Sequence, residues 1–62
     1  MLVAVGSVLK DRKGGNYRVE AIQPHYWDDG ETGVQLVKTF WEREGLTFWV
    51  RLDELPMLYS IG

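Results

Sequence analysis

The stretch from Val34 to Leu52, VQLVKTFWEREGLTFWVRL, decides the fold class. Its apolar positions recur in twos on both sides of a polar break at Arg43-Glu44-Gly45, the pattern of two half-buried strands and not of a helix. A three-residue hairpin loop with Gly45 in the left-handed position is expected at the break, joining strands over residues 34–41 and 46–52. That register sets Phe40 opposite Phe48 and Leu36 opposite Leu52. It gathers Val34, Leu36, Phe40, Phe48, Val50 and Leu52 on the core face. Gln35, Val37, Thr39, Trp41, Thr47, Trp49 and Arg51 lie on the other. A loop one residue longer would mix the two sets, because a one-residue slip sends every side chain of a strand to the opposite face.

Toward the N-terminus, Tyr17-Arg18-Val19-Glu20-Ala21 alternates strictly, which predicts a strand with Tyr17, Val19 and Ala21 inward. Gly14-Gly15 ahead of it supplies the positive φ angles of a two-residue turn. The preceding strand then pairs with Asp11 facing Arg18 and Val8 facing Ala21. Residues 2–5 form a short apolar run ended by Gly6. Pro24 ends the second strand, and the longest irregular stretch follows, with Tyr26 and Trp27 beside Asp28, Asp29 and Glu31. Past the hairpin, Asp53-Glu54-Leu55-Pro56 cannot continue a strand and reads as one helical turn capped by Asp53; residues 57–61 form a last short strand. Strand, hairpin, long loop, hairpin, helical turn, strand is the order of a small SH3-like five-stranded antiparallel barrel with a short 3-10 turn before the last strand. The rival is a plain antiparallel sheet that closes only on dimerisation.

The 62 residues make one domain, and a chain of this size buries only about 60% of its unfolded surface. With no cysteine there is no disulfide and no Cys-based zinc site, a composition that fits a reducing compartment. Three Trp supply apolar bulk in their place. The net charge is -2 but unevenly spread: residues 1–18 hold Lys10, Arg12, Lys13 and Arg18 against Asp11, and the remainder holds three basic residues against eight acids. Such a balance argues against sequence-independent DNA binding. No run of about 20 apolar residues and no basic leader precede the domain, so no membrane segment and a cytoplasmic location are expected.

Tyr17-Arg18-Val19, followed by Glu44-Gly45-Leu46, Trp49-Val50-Arg51-Leu52 and Glu54-Leu55, resembles a family of small bacterial domains of unknown function. Those domains read as a Tyr-Arg-Val strand, a Gly-Leu-Trp-Val-Arg-Pro stretch and a Leu-Glu-Met-Phe ending. The segment from Trp49 to Leu55 also looks like the closing strands of Tudor-like and KOW-like barrels. The resemblance covers residues 6–55, with Thr47-Phe48 inserted before Trp49 and Leu52 where the family has Pro. It implies the barrel fold and carries no activity, since fold does not give function.

Catalytic chemistry finds no footing. One His and two Ser are present, and nothing ties Ser7 or Ser60 to His25 as a nucleophile to its base. His25, Asp28, Asp29 and Glu31 fall within seven residues. Their spacing matches neither a calcium loop nor a zinc finger, and turn chemistry explains them; no metal and no cofactor are expected. Gly14-Gly15 lies between strands and not before a helix, so it is no phosphate cradle. A filled barrel leaves no cavity of the roughly 300 Å³ that small ligands need. The chain is therefore expected to have no small-molecule substrate and not to be an enzyme.

Three surfaces are candidates for binding. Trp41 and Trp49, on one outer face with Arg51, form either an open interface or a second small core covered by the chain's own segments. Tyr26 and Trp27 beside Asp28 and Asp29 suit an Arg or methylated Lys of a partner, as in the aromatic cage of Tudor-like barrels, unless Trp27 plugs the barrel end. Lys10, Arg12, Lys13 and Arg18 on the first hairpin suit phosphates, or simply keep a hairpin tip from pairing edge to edge. The expected function is a non-enzymatic protein-interaction module, acting on a basic or mixed partner or on a second copy of itself. By analogy of size and acidity it suits a small accessory or inhibitor protein of a bacterium or phage. The alternative is a Tudor- or KOW-like nucleic-acid binder that uses the basic hairpin.

Overall fold

A computed structural model describes residues 2–61. Five strands, β1 (Val8–Asp11), β2 (Asn16–Gln23), β3 (Gly33–Phe40), β4 (Thr47–Arg51) and β5 (Tyr59–Ile61), form one antiparallel sheet in the order β4-β3-β2-β1-β5. A 3-10 turn, Leu52–Glu54, runs into the one-turn helix α1 (Leu55–Leu58) just before β5. The all-β class and the 3-10 turn agree with the sequence reading. The sheet is open: no ladder joins β4 to β5 among the described residues. No helix among them is long and apolar enough to cross a membrane.

Leu9, Tyr17, Val19, Val34, Leu36, Val50 and Leu55 are buried, and Val3, Ile22, Phe48, Leu52 and Tyr59 pack against them. Tyr17 joins the two margins of the sheet. Its ring meets Phe48 of β4 edge-on at 5.8 Å and Tyr59 of β5 at 5.2 Å.

Two registers and one alternation differ from the expected ones. In the first hairpin Val8 pairs with Arg18 and Leu9 with Tyr17. The turn is Arg12-Lys13-Gly14, closed by Gly14 N–H to Asp11 O (3.3 Å) and Asp11 N–H to Gly15 O (3.0 Å). Only Gly14 takes positive φ (+92°), so this turn needs one left-handed residue where the Gly-Gly turn needs two. Gly15 serves instead as a close approach: a Cβ there would stand 3.0 Å from Asp11 Oδ2. The shift is odd, so it turns Leu9 inward (0% exposed) and Val8 outward (46%). The expected Asp11–Arg18 pairing is lost with it, and Arg18 bonds Glu20 at 2.6 Å.

In β2 an irregularity falls between the pairs Val19–Leu36 and Ala21–Gln35. Glu20 is the extra residue, a bulge that resets the alternation. Ile22, opposite Val34, therefore packs on the core where Ala21 was expected to face inward.

In the second hairpin Leu36 pairs with Phe48 and Val34 with Val50, four residues from the expected register. The shift is even, so Val34, Leu36, Phe48 and Val50 keep their inward face. It brings Phe48 under Tyr17 and lengthens the connection to residues 41–46, with positive φ at Trp41, Glu42, Arg43 and Gly45. Phe40, expected inside, is 57% exposed, and Leu52 leaves the sheet to open the 3-10 turn. Asp53 does not cap that turn: the turn begins one residue earlier, where Leu52 N–H bonds Thr32 O (3.0 Å), and Asp53 lies inside it facing Arg51 Nε at 3.6 Å. Residues 2–5 form no strand; Gly6 N–H to Val19 O (2.8 Å) and Val19 N–H to Ser7 O (2.9 Å) tie the segment to β2.

The observed first register is tested by two truncations. A domain of this size has about 3–9 kcal/mol of stability. Leu9→Ala is expected to remove roughly 2–5 kcal/mol of it in urea unfolding, and Val8→Ala about 0.5 kcal/mol or less. The expected Val8–Ala21 register would invert that order.

Candidate functional site

The loop of residues 24–32, between β2 and β3, builds one end of the molecule. Pro24 ends β2, and the chain turns through His25 (φ 57°) and Gly30 (φ 88°). Gly30 N–H bonds Trp27 O at 2.9 Å, and Asp29 Oδ1 accepts from Glu31 N–H at 3.0 Å. The loop folds its aromatics onto β4. Tyr26 stacks on Trp49 at 4.2 Å with the planes 15° apart, and Trp27 meets Tyr26 edge-on at 4.8 Å. Gly33 makes the stack possible: a Cβ there would lie 2.7 Å from Tyr26 Cβ and Cγ and 3.0 Å from Trp49 Cε3.

Arg51, at the end of β4, completes the assembly. Its guanidinium lies 5.4 Å from the centre of the Trp27 ring and donates to Asp29 Oδ2 at 2.6 Å. This hydrogen bond holds the Asp29 carboxyl below its usual range and raises Arg51 above its own. Tyr26, Trp27, Asp28, Asp29 and Arg51 line an open cleft of about 340 Å³. The carboxylate of Asp28 has no hydrogen bond or ion pair among the described residues. Six of the seven residues singled out for partner binding thus come together.

Trp41, the seventh, does not. The register of the second hairpin carries it to the opposite end of β3, away from Trp49, so the expected shared Trp face is not formed. It joins a different group. The Lys38 ammonium stands 5.3 Å from the Trp41 ring centre and 5.5 Å from that of Tyr17. Arg12, Lys13, Lys38, Tyr17, Trp41 and Tyr59 line a groove of about 390 Å³ here. Of the basic set, Lys10 lines the adjoining groove, and Arg18 is held by Glu20.

Below this groove lies a polar knot. Asp11 accepts from the Tyr17 hydroxyl (2.7 Å) and from the N–H groups of Gly15 (2.8 Å) and Lys13 (2.9 Å). Burial pushes the Asp11 carboxyl up, but these donors and the charge of Lys38 prevail and it sits below its usual range. Burial, then the bond and charge of Asp11, hold Tyr17 far above the usual phenol; burial and the same charge raise Tyr59.

Sequence reasoning missed Lys38, Tyr59 and Gly33 as site residues. Lys38 left a signal: it is a charge at an inward position between Leu36 and Phe40. His25, Asp28, Asp29 and Glu31 do not converge: among the described residues no group of three or more His, Cys, Asp or Glu comes together to hold a metal.

Gly33→Ala is expected to drive Tyr26 off Trp49 and to cost roughly 1–3 kcal/mol by overpacking. Near-ultraviolet circular dichroism should lose the contribution of the Tyr26–Trp49 pair; an unchanged spectrum and stability would refute the stack. Comparison of the chain with protein-family models, with curated proteins and with solved structures finds no match, so its functional reading rests on this geometry.

Proposed function

We propose that this chain is a non-enzymatic protein-interaction module, built as a small SH3-like barrel, that holds a Lys or Arg side chain of a partner protein in the Tyr26–Trp27–Asp28–Asp29 cleft. One observation carries the reading. The cleft already makes the contact it would offer a partner: the Arg51 guanidinium lies on the Trp27 ring and is paired with Asp29. A second cation has room beside it, because Asp28 is unpaired among the described residues and Tyr26 remains 39% exposed. Glu31 and Asp53 add negative charge around Arg51. The barrel reading is supported by the ring of Tyr17, which draws β4 and β5 to one point without a ladder between them.

A cation on an exposed aromatic contributes about 0.5–1 kcal/mol, so one side chain gives weak binding and the rest of the partner segment supplies the remainder. The test is titration of an Arg- and Lys-containing hexapeptide, followed by amide shifts. Shifts are expected at residues 26–29, with affinity falling as salt rises. Asp28→Asn, which removes no side-chain hydrogen bond or ion pair among the described residues, should weaken binding roughly two- to fivefold at unchanged stability. Binding that is indifferent to both salt and Asp28→Asn, or that perturbs only the opposite end, would refute the reading.

A further inference from the structure

The groove at the Trp41 end has the opposite chemistry. Lys38 reaches it from an inward position on β3, and its ammonium makes no ion pair or hydrogen bond among the described residues. Lys13 stands at the rim, likewise without an ion pair there, and Arg12 donates to Met57 O at 2.9 Å. Asp11, which accepts from three neutral donors and whose charge acts on Lys38 without an ion pair, and Glu42 are the two carboxylates on the lining. A second groove of about 320 Å³, lined by Lys10, Pro56, Met57 and Leu58, adjoins it. Asp11, Arg12, Leu58 and Tyr59 line both. The apolar wall of the Lys38 groove is open: Trp41 is 43% and Leu58 50% exposed.

We propose that the groove of Lys38 and Trp41 binds an acidic segment of a partner protein in which carboxylates alternate with apolar side chains. A carboxylate pairs with Lys38, with Lys13 and Arg12 close by, and an apolar neighbour lies between Trp41 and Leu58. Charge complementarity decides the class of partner. Lys38, held on two ring faces, has no ion pair among the described residues and feels the charge of Asp11 only from beyond that distance, so an incoming carboxylate can take the place of a direct partner. Single-stranded nucleic acid fits less well. It asks for successive stacking rings along a basic track. Here Trp41 is the exposed ring, Tyr59 is half-buried, Tyr17 is 6% exposed, and Leu58 continues the wall. This site is independent of the cleft at the other end and stands or falls without it.

The probe is a blocked hexapeptide alternating Glu with Leu and Phe, titrated against the whole chain by amide shifts. The controls are the same peptide with Gln for Glu, the same with Lys for Glu, and a twelve-nucleotide oligothymidylate. The Glu peptide is expected to shift residues 12, 13, 38, 41 and 59, and to bind at least about fivefold more tightly than the Gln peptide. Lys38→Gln and Trp41→Ser should each weaken it by about fivefold or more; Asp28→Asn should leave it unchanged. Lys13→Gln, at the exposed hairpin tip, gives a smaller loss in the same direction and serves if a strand variant is unfolded by circular dichroism. Equal binding of the Gln peptide, tighter binding of the oligothymidylate, shifts confined to residues 26–31, or no shift at millimolar peptide would each overturn the proposal.

Discussion

The ring of Tyr17 is met edge-on by Phe48 from one margin of the sheet and by Tyr59 from the other, while its hydroxyl holds Asp11 at 2.7 Å. Asp11 in turn gathers the N–H groups of Lys13 and Gly15, so the same side chain fixes the first hairpin. Aromatic pairs of this kind contribute about 0.5–1.5 kcal/mol beyond the area they bury, and a hydrogen bond to a charged acceptor about 1.5–3 kcal/mol. Those magnitudes are comparable with the whole stability of a domain this small. No ladder joins the margins of the sheet among the described residues and no disulfide is available, so Tyr17 acts together with the segment that links β4 to β5, whose Leu55 is buried in the same core.

Pinning the margins divides the loops between two ends. Loop 24–32 is drawn against Trp49 and Arg51 at the end where β3 begins. The Arg12–Gly14 turn, the connection after β3 and the start of β5 meet at the other, over Tyr17 itself. The charge asymmetry of the sequence becomes a spatial one, with one exchange at each end: Arg51 lies among the acids and Lys38 among the bases. Arg51 is neutralised by Asp29, whereas Lys38 rests on rings. That difference separates a cleft that already contains its cation from a groove whose ammonium has no ion pair among the described residues.

How much of this was legible follows from how each feature is encoded. The inward faces of Val34, Leu36, Phe48 and Val50 could be read because alternation is local and the register moved by an even number of residues, whereas Phe40, past the last β3–β4 pair, is exposed. The face of β1 could not, because the choice between Gly14 and Gly15 as the left-handed residue depends on Asp11 folding back over Gly15. The Glu20 bulge interrupts a segment whose sequence alternates without a break, so no pattern within β2 announces it. The aromatic-acidic character of residues 26–29 was plain, but the source of their cation was not: Arg51 reaches them only after β3 and β4 pair. The shared Trp41–Trp49 face depended on a diagonal, and a diagonal is lost with a four-residue shift whether or not the faces survive. Lys38 was visible as an interruption of the apolar face, and Tyr59 became a partner of the groove only through the β1–β5 pairing.

The most direct test of the account is a nuclear Overhauser spectrum of the protein in solution with the aromatic rings assigned. Ring protons of Tyr17 should show strong cross-peaks to both Phe48 and Tyr59, because centroids at 5.8 and 5.2 Å bring ring edges into range. Cross-peaks to only one of them, or to neither, would mean that Tyr17 does not join the margins of the sheet, and the two-ended architecture built on it would fall.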